Sequence, residues 1–504
     1  MESSLRSSQR IPGAGKFEEK CESSQWPLAA LFGICIARLW LVPLPSSFRV
    51  DELETVFVAA HPRHPSLGSA REAFESIYYY LPRAAHALTG SSEISYRLPS
   101  MLAMAIALGL IARLAARLIH PRAGWFAVFT CLLLRGIDYH AIDARPYALG
   151  IMVSAASVFL LVRWLDSARW SDAALFAVAA ALVWRVHLVY WPFYILMAIY
   201  VLSRVISGET RVRWPQWAAA AALIALALVP PAMNALTLAR GAAAHVIAPP
   251  PTLRVFLHEL HWNVPLLCGV VFWFFAKWRG WTGSARKIVW PDLVFIGAWW
   301  LCQPVVICLY AWVSGNSLYV DRYLSIMLPG LALTATAAAA WWMPADKWRF
   351  AAAGMALAAL AFQGHWGTLV YRHDVSDWRS AAAEANRFAQ ESTPVVVVSP
   401  FIEARPPAWS ADYALPGFLY SHLERYPIHG KLYFFPFEDK DGVRYARELA
   451  RGSFNGTAGF EIYGQTGQVR FWRQWFATRP EFAGWSNLVR DFGDVGVAEF
   501  QRNE

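Results

Sequence analysis

Charged residues are scarce in this chain: Asp, Glu, Lys and Arg make up 16% of its 504 residues, where soluble domains carry about 25%. Hydrophobic residues make up 57%, and the mean hydropathy is +0.32. This composition excludes an ordinary soluble protein and predicts a polytopic membrane protein with some soluble mass. The net charge of +9 does not indicate nucleic-acid binding, because Lys and Arg lie in short clusters between apolar runs.

Cysteine is also scarce, and its placement predicts neither a disulfide framework nor a zinc site. No Cys-x-x-Cys pair occurs, and no cysteine follows Cys308. Five cysteines lie inside apolar runs and one in the N-terminal tail: Cys35, Cys131, Cys268, Cys302, Cys308 and Cys21. The chain lacks the GxxxxGK[ST] and GxGxxG phosphate-binding signatures. It also shows no internal repeat, which weakens an interpretation as an inverted-repeat transporter.

Long apolar runs are the most prominent feature of the sequence. A helix needs about 20 apolar residues to cross a bilayer, and about eleven runs approach this length. The candidate spans are residues 26–45, 98–119, 123–137, 147–165, 172–186, 188–206, 216–236, 262–277, 291–312, 323–343 and 349–367. The pattern predicts a polytopic α-helical membrane protein.

The distribution of Lys and Arg predicts the orientation of these spans. Basic clusters occupy the N-terminal tail and every second loop, which places that side in the cytoplasm. We therefore expect a cytoplasmic tail (1–25), a transmembrane domain (26–367) and an extracytoplasmic domain (368–504). The Ala- and Arg-rich composition favours a bacterial inner membrane.

The two non-spanning parts also carry structural signals. The first outer loop, 46–97, contains two amphipathic stretches, Glu52 to His61 and Ser69 to Leu88, which predict helices lying in the membrane interface. After Asp374 an amphipathic helix and several β-branched runs predict a small α/β domain. The predicted strands are Val395–Ser399, Lys431–Phe437, Gly459–Tyr463 and Val495–Phe500.

Ionisable residues that topology does not explain gather at the outer ends of the spans. They include Asp51, Glu52, Asp143, Arg145, His187 and Arg322, with Tyr147 and Tyr323 beside them, and also Asp138, His140, Arg185, Arg240, His245, His258, His261 and Asp321. A carboxylate can take a proton from an acceptor hydroxyl, and arginines can hold a phosphate by paired hydrogen bonds. Together they favour transfer of a sugar from a lipid-phosphate donor, a reaction that needs no nucleotide-binding loop.

Each of these residues also has a plainer interpretation. Asp51 and Glu52 can simply cap a short helix, Arg145 can anchor the end of a span, and Arg322 can pair with Asp321. His187 fits a structural histidine, and the tyrosines around Tyr80 fit interfacial anchors. His258, Glu259 and His261 lie close together, but with one carboxylate among them no metal site is predicted.

The ordered set of motifs resembles the GT-C integral-membrane glycosyltransferases, in particular family 39-like enzymes of the protein O-mannosyltransferase and aminoarabinose or galacturonosyl transferase type. The matching pieces run from the first span to the tenth: Val50-Asp51-Glu52, Tyr78-Tyr79-Tyr80-Leu81-Pro82, Ser92-Glu93 with Arg97-Leu98-Pro99-Ser100, Asp143-Ala144-Arg145-Pro146-Tyr147-Ala148-Leu149, His187 and Asp321-Arg322-Tyr323-Leu324. The resemblance covers residues 26–390.

The resemblance implies a polyprenyl-phosphate-linked sugar donor, a glycan, lipid or protein acceptor, and an inverting single displacement. It assigns Asp51 as general base and Glu52 as a group that orients the acceptor or sugar. The substrate and donor-phosphate site would comprise Asp143, Arg145, Tyr147, His187, Arg322, Tyr323 and Tyr80. No cofactor beyond the lipid-linked donor is predicted, and whether a divalent metal assists the arginines at the phosphate stays open. A transporter or flippase of lipid-linked sugars, and a non-catalytic membrane assembly protein, are the alternatives.

Overall fold

The computed structural model describes residues 25–68, 75–240, 248–281 and 288–503. Residues 1–24 of the predicted cytoplasmic tail and 69–74 of the second predicted interfacial helix lie outside this part of the chain. Up to residue 363 the described chain is almost entirely helical. Its helices are α1 Trp26–Ile36, α2 Val50–Ala60, α3 Tyr80–Thr89, α4 Glu93–Leu118, α5 Gly124–Leu133, α6 Arg135–Ala141, α7 Tyr147–Ser167, α8 Trp170–Val186, α9 Phe193–Ile206, α10 Trp214–Arg240, α11 Leu253–Glu259, α12 Asn263–Arg279, α13 Trp290–Ser314, α14 Leu328–Ala340 and α15 Trp348–Gln363.

Each predicted span overlaps one of these helices, and the polytopic helical architecture is confirmed. Within the described residues, six helical segments are long and apolar enough to cross a membrane: Glu93–Leu118, Tyr147–Ser167, Leu188–Ile206, Trp214–Leu238, Trp290–Ser314 and Asp321–Ala340. The pair α11 and α12, bent by 53°, makes a seventh if it forms one span. Helix α5 has only 10 residues, too few to cross a bilayer alone, so the number eleven stays a prediction.

The loop between α1 and α4 contains the two short helices α2 and α3. Helix α2 matches the first predicted interfacial helix. The described part of the second stretch contains a 3-10 turn, Ile77–Tyr79, that leads into α3. The Ser76 hydroxyl accepts the Tyr78 N–H at 3.1 Å and donates to the Val186 carbonyl at 2.6 Å, which ties the start of this turn to the end of α8.

Beyond α15 the chain forms a small α/β domain, as expected. Helix α16 (Trp378–Phe388) precedes a five-stranded sheet in which the order is β2-β1-β3-β5-β4. Strand β1 pairs in parallel with β2 and β3, and β5 is antiparallel to β3 and β4. The strands are β1 Pro394–Val398, β2 Lys431–Phe435, β3 Gly459–Gln465, β4 Trp485–Phe492 and β5 Val495–Arg502, with helices α17 His422–Arg425, α18 Asp439–Arg451 and α19 Thr466–Ala477 between them.

This C-terminal domain packs against the α1–α4 loop, and Glu93 at the start of α4 is the centre of the contact. Arg379 and Arg425 reach its carboxylate at 2.7 and 2.9 Å. The Tyr426 hydroxyl accepts the Phe48 N–H at 2.9 Å and donates to Glu93 at 2.9 Å. The residues that enter α2 are therefore held by the C-terminal domain.

Candidate active site

Helix α2 presents two neighbouring carboxylates at the end of the bundle nearest the C-terminal domain. Arg49 is extended and ends the preceding loop, and Asp51 and Glu52 occupy the first helical turn. The Glu52 carboxylate accepts the Arg49 N–H at 3.1 Å, so Glu52 does cap its own helix. Acidic side chains in a first turn also interact favourably with the helix dipole.

Glu52 is completely buried and bound on both carboxylate oxygens. Arg97 on α4 donates to them at 2.7 and 2.6 Å, and the Ala144 N–H donates to one of them at 2.8 Å. Among the described residues both oxygens of Glu52 are thus engaged by protein donors, and its role in orienting a substrate stays a prediction. Glu52 also positions α2, α4 and the residue before Arg145 relative to one another.

Asp51 lies between three arginines and is partly accessible, with 22% of its side chain exposed. Arg49 donates to its carboxylate at 2.6 Å, and Arg322 Nη1 lies 3.5 Å from the same oxygen. Arg145 Nη1 donates to the Asp51 backbone carbonyl at 2.8 Å. Burial opposes ionisation, but Arg49, Arg145 and Arg322 outweigh it and hold the pKa of Asp51 below its usual value. The carboxylate is therefore charged at neutral pH and able to accept a proton.

Arg145 and Arg322 each retain hydrogen-bonding capacity. The second partner of Arg145 Nη1 is Glu54, whose carboxylate oxygen lies 2.8 Å away. The Nε atoms of Arg145 and Arg322 have no hydrogen-bond partner among the described residues. Buried donors are normally paired, and these two N–H groups can still donate to a bound group. Glu54 was missed from the sequence, although its position one turn after Asp51 puts both on one face of α2.

Asp143 lies behind Arg49, fully buried. Arg49 Nε, His140 Nδ1 and His373 Nε2 approach its carboxylate at 3.6, 4.0 and 4.0 Å. Burial opposes ionisation of Asp143, but Arg49 and the two histidines hold its pKa well below the usual value. Asp143 thus contacts Arg49, the neighbour of the predicted base. His373 was not predicted as a site residue.

Tyr139 connects this cluster to the C-terminal domain. Its hydroxyl accepts a hydrogen bond from Arg49 Nη1 at 2.6 Å and donates to the Asp374 carboxylate at 3.0 Å. Both His373 and Asp374 lie in the segment between α15 and α16. That segment is therefore part of the wall around Arg49.

Three of the predicted aromatic or imidazole side chains come together beside the arginines. The ring centroids of Tyr147 and His187 are 5.7 Å apart, those of His187 and Tyr323 are 5.2 Å apart, and those of Tyr147 and Tyr323 are 6.5 Å apart. His187 Nδ1 also accepts the Val189 N–H at 3.2 Å, so it has the structural role that the sequence left open. The Tyr147 hydroxyl is buried without a partner among the described residues.

Tyr80 does not join this group. Its side chain is 71% exposed, whereas Tyr79 is buried and interacts electrostatically with Arg145. The reason is local, because the 3-10 turn Ile77–Tyr79 sets which tyrosine faces inward. The predicted site residue Tyr80 therefore points away from Arg145, and Tyr79 is the tyrosine of this run that lies near it.

Two groups of described residues bring three potential metal ligands close together: Glu52, Asp143 and His373, and Glu259, His261 and Asp321. In the first group Arg97 and Arg49 already pair with the two carboxylates. A cation would be repelled by these guanidinium groups, so we assign no metal to it. In the second, partly exposed group, Asp321 begins the 3-10 turn Asp321–Met327, which carries Arg322, while Glu259 ends α11 and His261 follows it.

Comparison with known proteins agrees with this architecture. The family model of dolichyl-phosphate-mannose-protein mannosyltransferases matches residues 76–233, a range that includes Arg145 but not Asp51. No curated protein matches the sequence. The fold is similar to crystal structures of ArnT from Cupriavidus metallidurans bound to undecaprenyl phosphate and in the apo state. The TM-scores are 0.52 and 0.54, at 14% and 13% identity, and each match covers 94% of this chain and 98% of that chain.

The family match and the shared fold agree with each other and with the order of motifs along the chain. The match covers a central part of the helical bundle, and the fold similarity extends over the α/β domain as well. Residues 76–233 thus match the mannosyltransferase family model, the fold over 94% of the chain is similar to that of ArnT, and both findings agree with the resemblance to GT-C integral-membrane glycosyltransferases.

Proposed function

We propose that this protein transfers a sugar from a polyprenyl-phosphate-linked donor to an acceptor hydroxyl, with Asp51 as the general base. The observation that carries the proposal is the position of the Asp51 carboxylate, 2.6 Å from Arg49 and 3.5 Å from Arg322, with Arg145 bound to its backbone carbonyl. A charged carboxylate lies beside guanidinium groups that have unused donors. This combination suits proton removal beside a phosphate.

The chemistry is a single displacement. The acceptor oxygen forms a bond to the anomeric carbon of the sugar, its proton goes to Asp51, and the bond from that carbon to the phosphate oxygen breaks. The electron pair leaves with the polyprenyl phosphate, whose negative charge Arg145 and Arg322 stabilise. Attack from the face opposite the phosphate inverts the anomeric configuration. Tyr147, His187 and Tyr323 form the side of the site next to these arginines.

The reaction is proposed to take place at the membrane face away from the cytoplasm, in a bacterial inner membrane. The support is the alternation of basic loops, which leaves the acidic and aromatic cluster on the opposite side from the Lys and Arg clusters. The C-terminal domain packs on this same end of the bundle through Glu93, so it would be extracytoplasmic. Accessibility of a single introduced cysteine in the C-terminal domain to an impermeant thiol reagent in intact cells tests this orientation.

The test of the function is transfer or hydrolysis of a radiolabelled polyprenyl-phosphate sugar by washed membranes that contain the protein. We expect turnover with the wild type and its loss with Asp51→Asn. The exposed Glu391, on the turn before β1, provides a matched control as Glu391→Gln, which should keep wild-type turnover. Equal turnover by Asp51→Asn and the wild type would contradict the proposal. Transbilayer movement of the labelled lipid without bond cleavage would favour a flippase.

A further inference from the structure

Glu54 holds the arginine that the proposed function assigns to the donor phosphate. It lies one turn after Asp51 on α2, and its carboxylate accepts a hydrogen bond from Arg145 Nη1 at 2.8 Å. The two side chains are 17% and 11% exposed, so the pair lies at the accessible margin of the cluster. Glu54 is therefore bound where an incoming phosphate would meet Arg145.

The charges around Glu54 come from three parts of the chain. Asp51 lies on the same helix, Arg145 on the segment before α7, and Glu403 on the loop after β1 of the C-terminal domain; Tyr79 faces the same arginine. Burial raises the pKa of Glu54 to about 7, Arg145 opposes this shift, and the negative charges of Asp51 and Glu403 add to it. Glu54 is thus close to its protonation point at neutral pH.

A bound phosphate would add a further negative charge to this cluster. Like charges at close range cannot all remain ionised, and the group with the highest pKa takes up the proton. Asp51 is held in its charged form by three arginines. Within the described residues Glu54 is paired with one arginine, Arg145, and the phosphate would compete for it.

We propose that the donor phosphate and the Glu54 carboxylate compete for Arg145, so that binding of a lipid phosphate is coupled to protonation of Glu54. This inference rests on the proposed function, because it takes Arg145 as a phosphate ligand. Before binding, Glu54 keeps the Arg145 guanidinium in place. After transfer, loss of the proton lets Glu54 bind Arg145 again and favours release of the polyprenyl phosphate.

The competition for Arg145 determines the direction in which lipid-phosphate affinity changes with pH. The charged form of Glu54 competes with the phosphate and predominates above its pKa. Affinity for a lipid phosphate should therefore fall as the pH rises through about 7, by up to about tenfold per pH unit, and be independent of Glu54 at lower pH. Glu54→Gln removes the competing charge and keeps the size of the side chain. It should bind more tightly than the wild type at about pH 8 and equally at about pH 6.

The experiment is titration calorimetry of the purified full-length protein with undecaprenyl phosphate, in two buffers of different ionisation enthalpy at about pH 8. The wild type should take up about one proton per lipid bound, and Glu54→Gln close to none. Glu391→Gln should behave as the wild type. The second ionisation of the lipid phosphate lies at about pH 6 and is the same for all variants, so it cancels in the comparison.

Two results would overturn the inference: equal proton uptake by Glu54→Gln and the wild type, or weaker lipid binding by Glu54→Gln at about pH 8. Should Glu54→Gln fail to fold, zero proton uptake by the wild type would be equally decisive. Arg145→Ala and Arg322→Ala separate this inference from the proposed function. If both weaken lipid binding while Glu54→Gln follows the wild type, only the coupling fails. If neither weakens binding, the proposed function fails.

Discussion

Arg97 and Glu52 form a fully buried ion pair in which the guanidinium group meets both carboxylate oxygens, at 2.7 and 2.6 Å. Arg97 also donates to the carbonyls of Leu44, Ser46 and Ser47. A residue on a spanning helix thus fixes the loop that enters α2. Removing one partner would leave a buried charge uncompensated.

Arg97→Met is expected to destabilise the protein by about 3–5 kcal/mol, the usual effect of breaking a buried pair. Thermal unfolding of the detergent-solubilised protein measures the change. Arg447→Met, on the exposed face of α18, is the matched control and should unfold as the wild type does. A stable Arg97→Met variant would show that the pair is not needed to hold α2.

Asp51→Asn is expected to lower turnover by about 10²–10⁴-fold, the usual effect of removing a general base. Affinity for undecaprenyl phosphate should fall much less than turnover, because the arginines remain. Initial rates with a labelled donor and direct binding of undecaprenyl phosphate separate the two quantities. A loss of binding that accounts for the whole loss of rate would assign Asp51 to binding.

Arg322→Lys should weaken donor binding although the positive charge is kept. Lys cannot reproduce the planar fork of Arg, and losing a charge-assisted hydrogen bond costs about 1.5–3 kcal/mol. We expect KM for the donor to rise by roughly tenfold to a hundredfold. Arg447→Lys serves as the control. Unchanged donor kinetics would remove Arg322 from the phosphate site.

The pH dependence of kcat/KM tests whether the neighbouring arginines lower the pKa of Asp51. Its pKa is lowered, so the charged form needed for proton removal is present at neutral pH and is lost only as pH falls through that low value. Arg49→Gln removes the arginine that contacts the carboxylate most closely, so the acid limb of kcat/KM should move to higher pH. An acid limb that does not move would indicate a different base.

Tyr426 in the C-terminal domain is expected to affect the reaction only by positioning the residues that enter α2. In Tyr426→Phe the Phe48 N–H loses its acceptor and Glu93 loses a donor, at a cost of about 1–3 kcal/mol for a buried unsatisfied group. Because Phe48 directly precedes Arg49, kcat should fall while KM for the donor stays constant. A change confined to KM would contradict a positioning role. Tyr445→Phe, on α18, is the matched control.

Periodicity and charge predicted the helical bundle because apolar runs, and the polar residues at their ends, are local signals in the sequence. They could not give the number of spans, since α5 is too short to cross a bilayer yet lies in an apolar run. Strand β4 was missed because Trp485–Phe492 contains Ser, Asn, Arg and Asp, is an edge strand of the sheet, and lacks a continuous β-branched run.

Within the site, Asp51, Asp143, Arg145 and Arg322 were predicted because each lies in a recognisable motif, and the structure brings them together. Tyr79 could not be chosen over Tyr80, since a 3-10 turn does not keep the helical phase. His373 lies 230 residues from Asp143 in the chain. Only the tertiary fold makes them neighbours.

The segment that joins the bundle to the sheet has a practical consequence for protein engineering. A chimaera cut at residue 368, the predicted domain boundary, would exchange His373 and Asp374 together with the sheet and so replace contacts to Asp143 and Tyr139. The fusion point that leaves these contacts native falls between Asp374 and the start of α16 at Trp378. A graft made there would still exchange Arg379, Arg425 and Tyr426, so it would test their contacts with Glu93 and Phe48 while the contacts to Asp143 and Tyr139 stay native.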